Sequence, residues 1–192
     1  MVKRKIIAFV GPPHSGKTIF ITEIFFYLQQ IKRVRFFLQR AAPDGEGVWS
    51  AESYQDIVKR IRRKGKFNPE FIEFTLNSIK KLSNTFPLVL VDCGGRITIE
   101  NQMIISACTD FIIISSDKES TTDWSEFCEY ICNCNCMAIF DSTLDLNKDP
   151  FFDKEKSIGL LVGLKRERNL IPSDTIEVIH KFTNYIIEQL EY

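Results

Sequence analysis

The 192-residue sequence has no apolar run of about 18 residues or more, the length that a membrane-spanning helix requires. It also lacks a signal-peptide pattern, because the apolar part of the basic stretch 1–11 is short and no small-residue cleavage site follows it. Repeats, low-complexity tracts and long linkers are absent as well. These absences predict a cytoplasmic protein without a membrane partner, folded as a single domain over residues 1–192.

The sequence has no net charge, but its charges are distributed unevenly. Residues 1–66 carry 14 Lys and Arg against 5 Asp and Glu, whereas residues 67–192 carry 11 against 20. Such asymmetry indicates an anionic ligand on the N-terminal side. The densest basic run, 59–66, fits either binding to an anion such as nucleic acid or an ordinary solvated face.

Disulfides are not expected in a cytoplasmic chain, although six cysteines are present. Four of them follow a C-x3-C-x-C-x-C spacing, which matches no common zinc or iron–sulfur pattern. Two interpretations stay open: a metal site, or small buried hydrophobic side chains. The four residues are Cys128, Cys132, Cys134 and Cys136.

Apolar runs alternate with helical patterns along the chain, and the runs are apolar on both faces. That alternation predicts an α/β fold, a doubly wound and mostly parallel sheet of about six strands with helices on both faces. The predicted strands are 5–11, 34–40, 87–95, 110–117, 136–143 and 157–164. The predicted helices are 17–31, 50–65, 68–84, 100–108, 122–133 and 173–192.

Local signals define the helix at 68–84 more closely. Asn68 is expected as its N-cap, with Pro69 at the first helical position. The segment 144–156, rich in Asp and Lys, is predicted to be a loop. The apolar stripe expected on the helix at 68–84 consists of Phe71, Phe74, Ile79 and Leu82.

The segment 11–18, GPPHSGKT, matches the phosphate-binding P-loop pattern G-x-x-x-x-G-K-[ST]. It follows a predicted strand and opens a predicted helix, which is the setting that the motif requires. Glycines let the backbone wrap an anion, and successive N–H groups at a helix N-terminus bind phosphate oxygens. The residues expected to contact a nucleotide are Gly11, Pro12, Pro13, His14, Ser15, Gly16, Lys17 and Thr18.

Two side chains of this loop have expected chemical roles. Lys17 should reach the β- and γ-phosphates and act in catalysis, and the hydroxyl of Thr18 should bind Mg²⁺. Pro12 and Pro13 lack N–H donors, so the other amides must hold the phosphates. His14 is either a contact to phosphate or substrate, or an ordinary surface residue.

A second motif, DCGG, ends the strand predicted at 87–95. Asp92 stands where an acidic side chain would hold Mg²⁺, although an aspartate at a strand end can also simply cap a turn. The sequence D-x-x-G resembles the motif of GTPases and their ATP-using relatives, which implies that Gly95, and Gly94 beside it, contact the nucleotide. Because the guanine-reading N/T-K-x-D motif is absent, ATP is the expected nucleotide.

The stretch RAAPDGEGVWS, 40–50, follows the predicted strand 34–40. Since the carboxyl ends of parallel strands line one crevice, it should lie beside the nucleotide. Asp44 or Glu46 would accept a proton, orient a water or help to hold Mg²⁺. Arg40 would bind a phosphate or stabilise transferred charge. The alternative is a plain turn, because Pro-Asp-Gly is a turn signal by itself.

Several blocks together, GPPHSGKT, RAAPDGEGVWS, VDCGGRITIEN, ACTDFIIISSD and DWSEFC, resemble a known group. It is the P-loop NTPase, kinase-like domain found beside or fused to CRISPR-associated ring-nuclease domains of type III systems, on the kinase–GTPase branch of P-loop proteins. The resemblance implies a ring-nuclease partner, although nothing in this chain resembles the ring-nuclease domain itself. It also implies one cleft for Lys17, Thr18, Asp92, Arg40, Asp44, Glu46, Gly94 and Gly95.

These features predict a phosphoryl-transfer enzyme that uses ATP and Mg²⁺, either a hydrolase or a kinase of a nucleotide or small molecule. The resemblance implies a role accessory to CRISPR type III signalling, and the basic N-terminal part suggests a phosphorylated nucleotide or a short RNA as the second substrate. The alternative is a nucleotide-gated switch or a nucleic-acid-binding subunit with little turnover. A homo-oligomer is compatible with either function.

Overall fold

The computed structural model describes residues 3–42, 67–165 and 170–190. Its strands are β1 (Lys5–Val10), β2 (Phe36–Arg40), β3 (Leu88–Asp92), β4 (Asp110–Ser115), β5 (Asn135–Thr143), β6 (Phe151–Asp153) and β7 (Ile158–Val162). Its α-helices are α1 (Lys17–Ile31), α2 (Pro69–Thr85), α3 (Ile99–Ile105), α4 (Lys118–Glu126) and α5 (Ser173–Glu188), and α4 continues into a π-helix at Phe127–Ile131. The helix predicted at 50–65 lies outside the described residues.

The strands form one sheet in the order β2-β3-β1-β4-β5-β7-β6. All neighbouring pairs are parallel except β6 and β7, which are antiparallel. The predicted doubly wound, mostly parallel α/β fold is therefore confirmed, with seven strands instead of about six. The additional strand, β6, lies inside the segment predicted as a loop, because three residues at a sheet edge are too few to show a period of two.

Alternate residues of the central strands enter two separate cores. Ile7 and Phe9 of β1 belong to the core that α1 and α5 cover with Phe20 and Phe182. Ala8 of β1 belongs to the core on the other face, which α2, α3 and the π-helix cover. Burial on both faces explains why the strands read as continuous apolar runs in the sequence.

The start of α2 follows the prediction, and its apolar stripe does so at Ile79 and Leu82 but not at Phe74. Asn68 accepts a hydrogen bond from the backbone N–H of Phe71 at 2.7 Å, which confirms it as the N-cap. Phe74, predicted to be buried, is 68% exposed, whereas Ile72 and Ile79 are buried. At about 100° per residue Phe74 lies roughly 200° around the helix from Ile72, so it falls on the solvent side.

The helix predicted at 122–133 begins earlier and ends differently. The carboxylate of Asp117 accepts a hydrogen bond from the N–H of Ser120 at 2.8 Å, so α4 starts at Lys118. The chain then widens into the π-helix, where the N–H of Cys132 bonds to the carbonyl of Phe127 at 3.0 Å. Across the described ranges, no helix has the length and apolarity that crossing a membrane would demand.

Candidate functional site

The predicted site residues that the structure describes meet at the carboxyl edge of β2, β3 and β1. Asp92 ends β3 and lies in register with Phe9 of β1 on one side and Arg40 of β2 on the other. The segment 11–18 leaves β1 at this same edge and enters α1 at Lys17. The sheet therefore brings the P-loop, Asp92 and Arg40 together. Asp44 and Glu46, and the basic run 59–66, lie outside the described residues.

The P-loop has a backbone conformation that only particular residues accept. Gly11 has φ 132° and Gly16 has φ 92°. A Cβ atom on Gly11 would lie 2.0 Å from the carbonyl oxygen of Ile114 in β4. Gly16 caps α1 and, having no side chain, leaves the amides of the first turn without a side-chain cap of its own. These N–H groups are the usual binding element for an anion at a helix N-terminus.

Lys17 is folded back over the loop. Its Nζ donates hydrogen bonds to the carbonyl oxygens of Gly11 and Pro12, both at 2.7 Å. The residue is 8% exposed, so its positive charge lies within the curve of the loop. An ammonium held there can contact an anion that the loop amides bind.

Ser15 also indicates that the loop binds an anion. It is 4% exposed, and in the described part of the chain its Oγ has no hydrogen-bond partner. Since buried polar groups are normally paired, a hydroxyl without a partner in a P-loop indicates a missing ligand atom. His14 and Thr18 are exposed on the loop and on the first turn of α1. His14 has φ 63°, a backbone conformation compatible both with a contact to phosphate or substrate and with an ordinary surface residue.

Asp92 and Arg40 form an ion pair that sequence patterns did not reveal. Nη2 of Arg40 lies 3.5 Å from Oδ2 of Asp92, and the Asp92 residue is 7% exposed. The contact arises because β2 pairs with β3 in a register that sets Arg40 opposite Asp92. Arg40 thus faces the carboxylate predicted to hold Mg²⁺, at the carboxyl edge of the sheet.

The loop after Asp92 packs directly on the P-loop. A Cβ atom on Gly95 would lie 2.9 Å from the nitrogen and 3.1 Å from the Cα of Pro13. The two backbones therefore approach to a distance that only glycine permits. Movement of either loop would press on the other.

Asn101 of α3 is a site residue that the sequence analysis missed. Its Nδ2 donates to the carbonyls of Gly94 at 3.2 Å and Arg96 at 2.6 Å, and the residue is 1% exposed. Its Oδ1 is buried without a hydrogen-bond partner among the described residues. The available signal was a polar residue in the first turn of a short apolar helix that follows the D-x-x-G motif.

The cysteines lie mostly in the second core, and the structure favours their interpretation as small hydrophobic side chains. Cys93, next to Asp92, is 3% exposed, and burial together with the Asp92 carboxylate raises the pKa of its thiol. Burial also raises the pKa of Cys134 to about 12 and that of Cys136 to about 11. These thiols are therefore protonated and uncharged near neutral pH in the protein. Within the described ranges, no cluster of His, Cys, Asp and Glu is arranged to hold a metal ion.

Neither protein-family models nor curated proteins give a match to the sequence. Solved structures do match: the septum site-determining protein MinD from Pyrococcus horikoshii, complexed with Mg-ADP, superposes with a TM-score of 0.66 at 11% identity over 96% of both chains. Cobyrinic acid a,c-diamide synthase from Mycobacterium smegmatis, with bound ADP and magnesium, gives 0.67 at 10% identity over 97% of this chain and 96% of that one. The fold is that of P-loop NTPases.

A third neighbour of this P-loop NTPase fold is a ParA family ATPase from Chlorobium tepidum. It has a TM-score of 0.62 and 11% identity, and the match covers 96% of this chain and 99% of that one. At such low identity these likenesses show a shared fold. They agree with the strand–loop–helix arrangement around 11–18 that the motif predicted.

Proposed function

We propose that the protein binds ATP and Mg²⁺ at the segment 11–18 and transfers the γ-phosphoryl group to water or to an acceptor. The observation that carries this proposal is the buried Lys17 ammonium, held against the carbonyls of Gly11 and Pro12 inside a P-loop. The structural neighbours support it, because MinD was solved with Mg-ADP and cobyrinic acid a,c-diamide synthase with ADP and magnesium.

The residues present fit this pair of ligands. Ser15 Oγ, buried without a partner in the described part of the chain, is a donor that a phosphate oxygen would satisfy. The hydroxyl of Thr18 and the carboxylate of Asp92 are oxygen ligands of the kind that Mg²⁺ prefers. When bound, Mg²⁺ would neutralise charge on the phosphate oxygens.

The chain's own groups would contribute position and charge. We assign Lys17 to the β- and γ-phosphate oxygens and Arg40, beside Asp92, to the charge that develops on transfer. The bond from the γ-phosphorus to its bridging oxygen breaks, and a bond to the attacking oxygen forms. We assign the proton of that attacking group to Asp44 or Glu46, which follow Arg40 in the chain.

Incubation with γ-labelled ATP, Mg²⁺ and a panel of nucleotides and short RNAs tests the reaction class. Label in free phosphate identifies a hydrolase, and label on an added compound identifies a kinase. ATP that is retained without chemistry identifies the alternative function, a nucleotide-gated switch. Failure to bind ATP at millimolar concentration with Mg²⁺ would refute the proposal as a whole.

Lys17→Ala should lower the affinity for Mg-ATP at least about 10-fold, or about 1.4 kcal/mol, because the loop loses its buried cation. Isothermal titration calorimetry measures the change. Lys181→Ala, which removes an exposed lysine on α5, is the matched control and should bind ATP as the wild type does. Equal affinities of the two variants would remove Lys17 from the site.

A finer proposal rests on the sequence resemblance. The single domain 1–192 would serve CRISPR type III signalling with a ring-nuclease protein as its partner, and a nucleotide or short RNA would be the acceptor. Transfer of label to short RNA in the panel, together with co-purification of a ring-nuclease protein, supports it. If neither result were obtained, the protein would still be a phosphoryl-transfer protein, but one that acts in a process other than CRISPR type III signalling.

The contact between Gly95 and Pro13 favours a nucleotide-gated switch as the second candidate function. Because the 92–95 loop touches the P-loop backbone, the presence of a γ-phosphate can be transmitted to α3 through Asn101. Partner binding would then differ between the ATP and ADP states.

Gly95→Ala tests this coupling. The added methyl group pushes against Pro13, so we expect the ratio of ATP to ADP affinity to fall about fivefold or more. Lys181→Ala, which removes an exposed lysine on α5 away from both loops, is the control and should keep the wild-type ratio. An equal loss of affinity for ATP and for ADP would mean that Gly95 shapes the nucleotide site but does not respond to the γ-phosphate.

A further inference from the structure

A basic surface lies at the amino edge of the sheet, opposite the P-loop, and the proposed nucleotide chemistry does not use it. It comes from the start of β1, the turn between α1 and β2, and the end of α2. Backbone and side-chain contacts join these segments: Arg4 Nη1 donates to the carbonyl of Ser83 at 3.0 Å, and Arg35 Nη2 donates to that of Thr85 at 3.4 Å. This basic edge consists of Lys3, Arg4, Lys32, Arg33, Arg35, Lys80 and Lys81, all exposed.

The segments that build the basic edge carry no carboxylates. Residues 3–22, 24–42 and 78–91 contain neither Asp nor Glu. Two acidic side chains at the same end of the fold are already paired, Asp110 with Lys5 and Glu188 with Lys154, each at 2.5 Å. The clustered positive charge therefore produces a field that attracts anions.

The basic edge also has a groove with aromatic walls. The groove has a volume of about 390 Å³, and Lys32, Arg35, Phe36 and Phe86 are among the residues that line it. Phe37 lies outside this lining, but it is 40% exposed and its ring is 5.6 Å from that of Phe86. Cations beside accessible rings suit a ligand that has both negative charge and flat apolar faces.

The two arginines that hold α2 remain suited to a ligand. A guanidinium has five N–H donors, so one bond to a carbonyl fixes its position without using its full capacity. Arg4 and Arg35 are thus oriented in advance, which lowers the entropy lost when they bind.

We propose that the basic edge binds single-stranded nucleic acid, with phosphates on the cations and bases against Phe37 and Phe86. β2 and β1 are two strand spacings apart, about 10 Å, so the cations at their starts flank a surface wide enough for a single strand. An anionic membrane fits less well, because Phe36 and Phe86 line the groove, whereas membrane-binding surfaces present apolar side chains that insert into the bilayer.

This surface is separate from the nucleotide site. Lys17 and Lys32 stand at opposite ends of α1, whose 15 residues measure about 22 Å. Changes at the basic edge should consequently leave ATP binding intact, so the failure of this inference and the failure of the proposed function can be told apart.

The test uses the full chain, a fluorescent 20-nucleotide oligouridylate and anisotropy over a range of salt. In the triple variant Lys32→Gln, Lys80→Gln and Lys81→Gln, we expect affinity to fall at least about 10-fold and the salt slope to fall by about two. Phe37→Ser should weaken binding about fivefold or more, because stacking is lost. The matched control removes three exposed lysines elsewhere, Lys118→Gln, Lys148→Gln and Lys181→Gln, and should bind RNA as the wild type does.

Each other result overturns the inference. If the wild type retained no RNA at low salt, the role of the cations would be to protect the edge strand β2 against aggregation. Equal RNA binding by the two triple variants would move the site elsewhere in the chain. Binding to vesicles of phosphatidylserine that exceeds RNA binding, and is lost in the Lys32 triple variant, would assign the surface to a membrane instead.

Discussion

Gly11→Ala should lower the free energy of unfolding by about 4 kcal/mol or more, the range of exceptional single substitutions. Gly11 has φ 132°, a conformation that an L side chain rarely adopts. The new methyl group would lie 2.0 Å from the carbonyl oxygen of Ile114, well inside van der Waals contact. That oxygen belongs to β4 in the centre of the sheet, so it cannot move without disturbing the ladder with β1.

Urea unfolding followed by circular dichroism measures this effect. Gly94→Ala is the control, because its methyl group would meet a side-chain atom of Asn101 at 3.0 Å and not a strand backbone. We expect a change of about 1 kcal/mol or less for the control. A Gly11→Ala protein as stable as the control would show that the turn out of β1 has another conformation.

The fold could largely be predicted because its central strands are buried on both faces. Residues 88–91 are apolar and fully buried, and an uninterrupted apolar run of this kind is typical of a strand that is covered on both faces. β6 is short and lies at an edge, so it leaves no such pattern. Phe74 was misplaced because an apolar residue on the solvent side of a helix looks the same in sequence as one in the stripe.

The candidate site could be predicted only where it is contiguous in the chain. The P-loop is one such segment, and the residues 11–18 adopt the strand–loop–helix setting that its pattern implies. The ion pair between Arg40 and Asp92 depends instead on the strand order β2-β3-β1, which joins segments about fifty residues apart. No local pattern contains that order. The hydrogen bond from Asn101 to the carbonyl of Gly94 likewise depends on the path of the loop between β3 and α3.

Asp110→Leu should destabilise the protein by about 3–5 kcal/mol, because it leaves the buried Lys5 ammonium without its partner. Nζ of Lys5 lies 2.5 Å from Oδ1 of Asp110, and their side chains are 10% and 5% exposed. Thr109 Oγ1 donates to the other carboxylate oxygen at 2.6 Å, so the charge is fully engaged in the native state. Lys5→Met should cost a similar amount, because the carboxylate is then buried alone.

The double variant Lys5→Met and Asp110→Leu decides whether the pair itself stabilises the sheet. Replacing both charges by apolar side chains removes both desolvation penalties, so we expect stability within about 2 kcal/mol of wild type. Urea unfolding of all four proteins gives the coupling energy. If the double variant lost as much stability as the two single variants together, the two side chains would not be coupled, which would contradict the ion pair. ATP affinity should be unchanged in the double variant, because Lys5 and Asp110 start β1 and β4 at the edge opposite the P-loop.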